Sequence, residues 1–188
     1  MIYMDNAATS WPKPHCVYEA IVNCMKSAGA NPGRSSHLMS IDAGNIILRT
    51  RELLAKFFNT DDPFRIIFTS NTTEALNLGI KGLLRKGDHV ITTTMEHNSV
   101  VRPLKTLEQR GINTTFVKCN SQGILDPHDV ESAIEKNTKL VITTHASNVT
   151  GSIIPIDEIG KITNRYGIVY MVDAAQTAGL LPIDLARL

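Results

Sequence analysis

Gly167-Ile168-Val169-Tyr170-Met171-Val172-Asp173-Ala174-Ala175-Gln176 is the stretch whose reading decides the fold. A short apolar run, mostly β-branched, ends in a carboxylate followed by small residues. That is the form of a buried strand in a parallel sheet whose C-terminal end carries a site. A lone buried charge is costly, so an acid placed there is held for a cationic partner.

Working outward, four similar runs precede it: Phe64-Arg65-Ile66-Ile67-Phe68, Asp88-His89-Val90-Ile91-Thr92, Asn113-Thr114-Thr115-Phe116-Val117 and Lys139-Leu140-Val141-Ile142-Thr143. With 168–172 they begin about 25 residues apart, and helical periodicity fills the gaps at roughly 72–84, 98–110, 127–136 and 156–166. This alternation predicts an α/β fold, a mostly parallel sheet with helices on both faces. Crossovers are expected to be right-handed, and ligands to bind outside the C-terminal strand ends. Ahead of the first run, 1–12 is a turn-rich arm and 14–28 a helix with Val17, Ala20, Ile21, Cys24 and Met25 on one face. A longer helix, 37–58, has Ile41, Ile47, Leu48, Leu54 and Phe57 spaced for burial. The division expected is 1–30 as arm and helix, and 31–188 as the large domain.

Composition narrows the function classes. The 188 residues are 43% hydrophobic and 20% charged, ordinary for a globular protein with a core. A net charge of +1 offers no electrostatic case for nucleic acid or an acidic membrane surface. No apolar run approaches the roughly 20 residues of a membrane span, and the N-terminus lacks signal-peptide features. A cytoplasmic location is the expectation. Cys16, Cys24 and Cys119 form no CxxC, and no HExxH occurs, so neither a disulfide framework nor a metal site is expected.

The loops after the strands form one rim of a parallel sheet. Thr69-Ser70-Asn71-Thr72-Thr73-Glu74 is a capping-box variant at a helix start; taken alone it reads first as a helix cap, and its free N–H groups and hydroxyls also suit a phosphate seat. His97, in Glu96-His97-Asn98-Ser99, either caps the next helix or offers a neutral imidazole to stack on a flat ligand. Asn148 is a turn residue or a donor into the rim, and Gln176 follows Asp173 by three positions. A phosphorylated aromatic cation would use every one of these groups.

At this point the chain resembles the class V aminotransferase branch of the fold-type I pyridoxal-phosphate enzymes, and among them the cysteine desulfurases. The resemblance rests on six stretches in order: Asp5-Asn6-Ala7-Ala8-Thr9, Asn31-Pro32-Gly33-Arg34-Ser35-Ser36-His37, Thr69 to Glu74, Glu96 to Ser99, His145-Ala146-Ser147-Asn148-Val149-Thr150-Gly151, and Val172 to Gln176. It implies that 31–188 is a cofactor-binding large domain that stops before its last strands and a small domain. It implies that Thr72 and Thr73 bind the phosphate of pyridoxal 5'-phosphate and His97 stacks on its ring. Asn148 and Gln176 would bond the ring oxygen region, and Asp173 would pair with the protonated ring nitrogen. His97 and Asp173 are thereby the catalytic residues, and Asn6, Ala7 and Arg34 the substrate-side ones. Asn71 stands where many relatives have glycine, and asparagine tolerates a left-handed turn there.

The resemblance further implies conversion of L-cysteine, or a related amino acid, to L-alanine with sulfur leaving as a persulfide. A homodimer and a sulfur-acceptor protein are the implied partners. The family's anchoring lysine and mobile cysteine lie beyond Leu188, so this chain alone is expected to be inactive and poorly stable, with a central strand edge unpaired. A related aminotransferase or selenocysteine lyase, and a non-catalytic cofactor-binding or interaction fragment, are the alternatives.

Overall fold

The structure, a computed structural model, describes residues 2–33 and 36–188. They divide into two compact units, with the break between Ile67 and Phe68.

The first unit holds α1 (His15–Ser27), α2 (Leu38–Phe57) and a 3-10 turn, Pro63–Arg65. Both helices start within one residue of expectation, but the predicted apolar stripes are not a core. Helix α1 buries no residue, α2 buries only Ser40, Ala43 and Ala55, and Val17, Ile21, Met25, Ile41, Leu48 and Phe57 are exposed. Two helices and an arm bring too little apolar mass to close a core on themselves.

The expected strand at 64–68 is also corrected. Asp62 Oδ1 accepts the Phe64 N–H at 2.8 Å and opens the 3-10 turn, after which Ile66 is extended but belongs to no ladder. A strand needs a neighbour for its N–H and C=O groups, and apolar content alone supplies none.

The second unit is the predicted α/β fold. Its elements run α3 (Thr72–Leu83), β1 (His89–Thr93), α4 (Asn98–Glu108), β2 (Asn113–Val117), α5 (Pro127–Ser132), β3 (Thr138–Thr144), α6 (Ile156–Tyr166) and β4 (Val169–Asp173). The four strands are parallel in the order β2-β1-β3-β4. Central β1 is buried throughout, whereas β2 and β4, at the edges, bury only their last residues.

Alternation along the strands sends side chains to two cores. Val90, Leu140 and Ile142 pack with Leu76 and Ile80 of α3 and Val100 and Leu104 of α4. Their neighbours Ile91 and Val141 pack on the opposite face with Val130 of α5 and Ile159 of α6. Helices thus cover both faces. Gly167 ends α6 at φ 65°, a left-handed cap that costs glycine little, and β4 begins two residues on. All four strands therefore deliver their C-terminal ends to one rim, where the sequence motifs lie.

Candidate active site

The α3 end is built as its sequence predicts, with one shift. Asn71 Oδ1 accepts the Glu74 N–H at 2.9 Å, and Glu74 Oε2 reaches back to the Ser70 N–H at 2.7 Å, one residue before the cap. That backbone bond holds the Glu74 carboxyl below its usual range. Asn71 is extended at φ -170°, so the expected left-handed tolerance is not used. Thr72 and Thr73 occupy the first turn, where helix N–H groups have no partner one turn back.

His97 does cap α4: its Nδ1 accepts the Ser99 N–H at 3.1 Å. Nδ1 is therefore unprotonated, and in the neutral ring the proton sits on Nε2. Capping and stacking are not exclusive, because the cap uses one ring edge and leaves the faces. Ser99 Oγ lies 2.8 Å from His97 Nδ1 and 2.8 Å from Thr73 Oγ1. The buried Ser99 thus ties the start of α3 to the imidazole. Thr73, His97 and Ser99 line a cavity of about 370 Å³ between α3 and α4, which Lys81 and Arg102 make electropositive.

Asp173 ends β4 and is 6% exposed; its Oδ1 accepts the Ala175 N–H at 3.0 Å. In the ladder it stands opposite Thr144, the last residue of β3. The Thr144 N–H donates in turn to Glu96 Oε1 at 3.0 Å, and the Thr93 hydroxyl donates to the same oxygen at 2.6 Å. Glu96 therefore spans the ends of β1 and β3, beside His97. Burial pushes its carboxyl up to about 7, against the pull of the two hydrogen bonds and with a further push from Asp173.

Thr73, His97 and Asp173 are thus linked through Ser99, Glu96 and Thr144. Asn148 is exposed in the turn after β3, and Gln176 is half-buried just past Asp173. Asn6 lies in the arm of the first unit, where its Oδ1 accepts the Trp11 N–H at 3.1 Å, and Ala7 is exposed in the same turn. Arg34 lies outside the described residues. Glu96 and Ser99 flank His97 in the 96–99 motif, and sequence alone assigns neither a role. An acid three residues beyond a wholly buried strand was the available signal for Glu96. All three cysteines are unpaired; Cys16 is exposed, and burial raises the Cys119 thiol above its ordinary value, against thiolate formation. Among the described residues no cluster of His, Cys, Asp or Glu is arranged to hold a metal.

Known proteins are similar to this chain in sequence and fold. The chain is 37% identical over 98% of its length to a probable cysteine desulfurase of Methanothermobacter thermautotrophicus, and spans 46% of that protein. It is 38% identical over its whole length to the cysteine desulfurase IscS of Dictyoglomus turgidum, and spans 48% of it. Among solved structures, the apo cysteine desulfurase of Thermococcus onnurineus NA1 superposes with a TM-score of 0.92 at 36% identity, over 99% of this chain and 47% of that one. SspA in complex with cysteine gives 0.91 at 32% identity, over 100% of this chain and 54% of that one. The chain thus spans about half the length of these relatives. Residues 2–188 match the family described as Aminotransferase class-V, and this chain belongs to that family.

Proposed function

We propose that this chain is the cofactor-holding part of a pyridoxal-phosphate-dependent cysteine desulfurase, which converts L-cysteine to L-alanine and passes the sulfur on as a persulfide. The residues present fit the cofactor. The first turn of α3, beside Lys81 and Arg102, has the donors and charge for a phosphate. The buried Asp173 has the chemistry to face a ring cation.

When bound, the cofactor supplies a pyridinium ring that draws electrons from the substrate α-carbon. Asp173 would hold the proton on the ring nitrogen. His97 would lay a ring face on the pyridine while Ser99 fixes its tautomer. Thr72 and Thr73 would bind the phosphate, and Asn148 and Gln176 would donate to the ring oxygen. Asn6, Ala7 and Arg34 are proposed on the substrate side. The proposal includes 31–188 as the cofactor-binding domain, a homodimer, a sulfur-acceptor protein and a cytoplasmic location. No helix among the described residues is long and apolar enough to cross a membrane.

The carrying observation is that a helix start, an imidazole and a buried acid are joined by hydrogen bonds and strand pairing along one rim. Equilibrium dialysis with pyridoxal phosphate tests it. Asp173→Asn is expected to weaken binding at least about tenfold, the loss of about 1.4 kcal/mol from a charge-assisted contact. Binding unchanged in that variant would sink the assignment of Asp173.

A further inference from the structure

Glu96 carries the most unusual chemistry on the rim, and the assignments above leave it without a task. Its two oxygens are treated very differently. Oε1 accepts both the Thr93 hydroxyl and the Thr144 N–H, while Oε2 is shut off from solvent and has no hydrogen-bond partner. An ionised carboxylate spreads its charge over both oxygens, and here one of them would be buried with no donor. A carboxylic acid with its proton on Oε2 carries no charge there and leaves only a neutral O–H unpaired, a far smaller cost, and Oε1 remains a full acceptor.

The surroundings agree. The titratable groups in electrostatic reach of Glu96 are Asp173 at the end of β4, which raises its carboxyl, and Tyr170 within β4 and Cys119 beyond β2, which Glu96 in turn raises. None is a cation. Burial holds the Tyr170 and Cys119 groups in their protonated forms, and the same cause raises the Glu96 carboxyl to about 7.

We propose that Glu96 is a positioning residue of this rim: its Oε1 clasps the ends of β1 and β3, its Oε2 carries a proton, and Asp173 is left as the acid presented to a cation. The clasp has a geometric consequence for both neighbours. His97 follows Glu96 directly in the chain, and Thr144 stands opposite Asp173 in the β3–β4 ladder. One carboxyl thereby sets the separation of the imidazole and the buried acid. The part that concerns cofactor affinity rests on the pyridoxal-phosphate reading above; the clasp itself does not.

Two variants of the full chain separate the effects. Glu96→Gln keeps an acceptor oxygen and is neutral at every pH, whereas Glu96→Met has similar length and accepts nothing. Hydrogen exchange at the Thr144 amide reads the clasp without cofactor. Protection is expected to survive in the Gln variant and to fall at least about tenfold in the Met variant, the loss of one hydrogen bond to a buried acceptor.

Thermal melting reads the proton. The folded value of Glu96 lies above its unfolded 4.5, so the group's contribution is full below 4.5 and is lost as pH rises through about 7. Measured against Glu96→Gln, the wild-type chain should therefore lose stability across that window, and the Gln variant should melt higher than wild type at pH 8. Dialysis with pyridoxal phosphate should then show weakened binding for Met and near wild-type binding for Gln. If wild type binds no cofactor, the function proposal fails while the exchange and melting results still judge the clasp. Equal Thr144 protection in wild type and Met, or a Gln variant destabilised at pH 8, would overturn the inference; should the Met variant not fold, the Gln melts decide it.

Discussion

His97 shows how one side chain carries two demands. Its sequence position left capping and stacking open, and the structure assigns the cap to Nδ1 alone. The cap fixes the tautomer, and Ser99 Oγ supports it while also reaching Thr73. Ser99→Ala removes that hydroxyl but keeps the backbone N–H of the cap. Fold stability should change by about 1 kcal/mol or less, the worth of one neutral hydrogen bond. Affinity for pyridoxal phosphate should fall several-fold, because Thr73 and the imidazole are no longer held together. Urea denaturation and dialysis on the same samples check the split, and a loss of stability without a loss of affinity would make Ser99 merely structural. Glu96 was harder to read. One partner, Thr93, is local, but the other, Thr144, is 48 residues away in sequence. Only strand order brings the two together.

At the scale of elements, local chemistry was legible wherever the partners were close in sequence. The α3 start is the clearest case, since Asn71, Ser70 and Glu74 satisfy one another within five residues. Asn71→Ala should cost about 1 kcal/mol of stability, the usual worth of an N-cap, while Asn71→Asp should retain most of it. A shift in the denaturation midpoint measures this, and equal stability of the Ala variant would show that the cap is dispensable. The strands at 89–93, 113–117, 138–144 and 169–173 lie within two residues of their predicted starts and ends. The run at 64–68 had equal apolar content and failed, because strand formation is a property of pairs. The stripes of α1 and α2 were real patterns, yet a stripe states only which face is apolar. It does not supply what would cover it.

Across the whole second unit, buried titratable groups couple folding to pH in two directions. His89 is 1% exposed, with its ring nitrogens 2.8 Å from Thr138 Oγ1 and 2.9 Å from Thr115 Oγ1, so it pins β1 between β2 and β3. Burial lowers its pKa from 6.5, and burial does the same to His145, whose Nδ1 has no partner. A folded value below the unfolded one means that the unfolded chain binds more protons in between. The contribution is then full above 6.5 and is lost as pH falls through the folded values. Glu96 acts in the opposite sense over much of this range, so the two are separated in the Glu96→Gln variant. There, melting temperature should fall steadily as pH drops below 6.5. A flat profile would show that neither histidine stays neutral in the fold. The amino-acid sequence by itself determined the α/β class, the positions of the four parallel strands, the Asn71 cap and the family, because each depends on periodicity or on neighbours a few residues apart. The tertiary structure alone decided the order β2-β1-β3-β4, the Glu96 bridge, the Thr73–Ser99–His97 chain and the exclusion of 64–68 from the sheet. Those depend on which distant segments meet, and burial gives a charge or a hydrogen bond its energetic weight only after they have met.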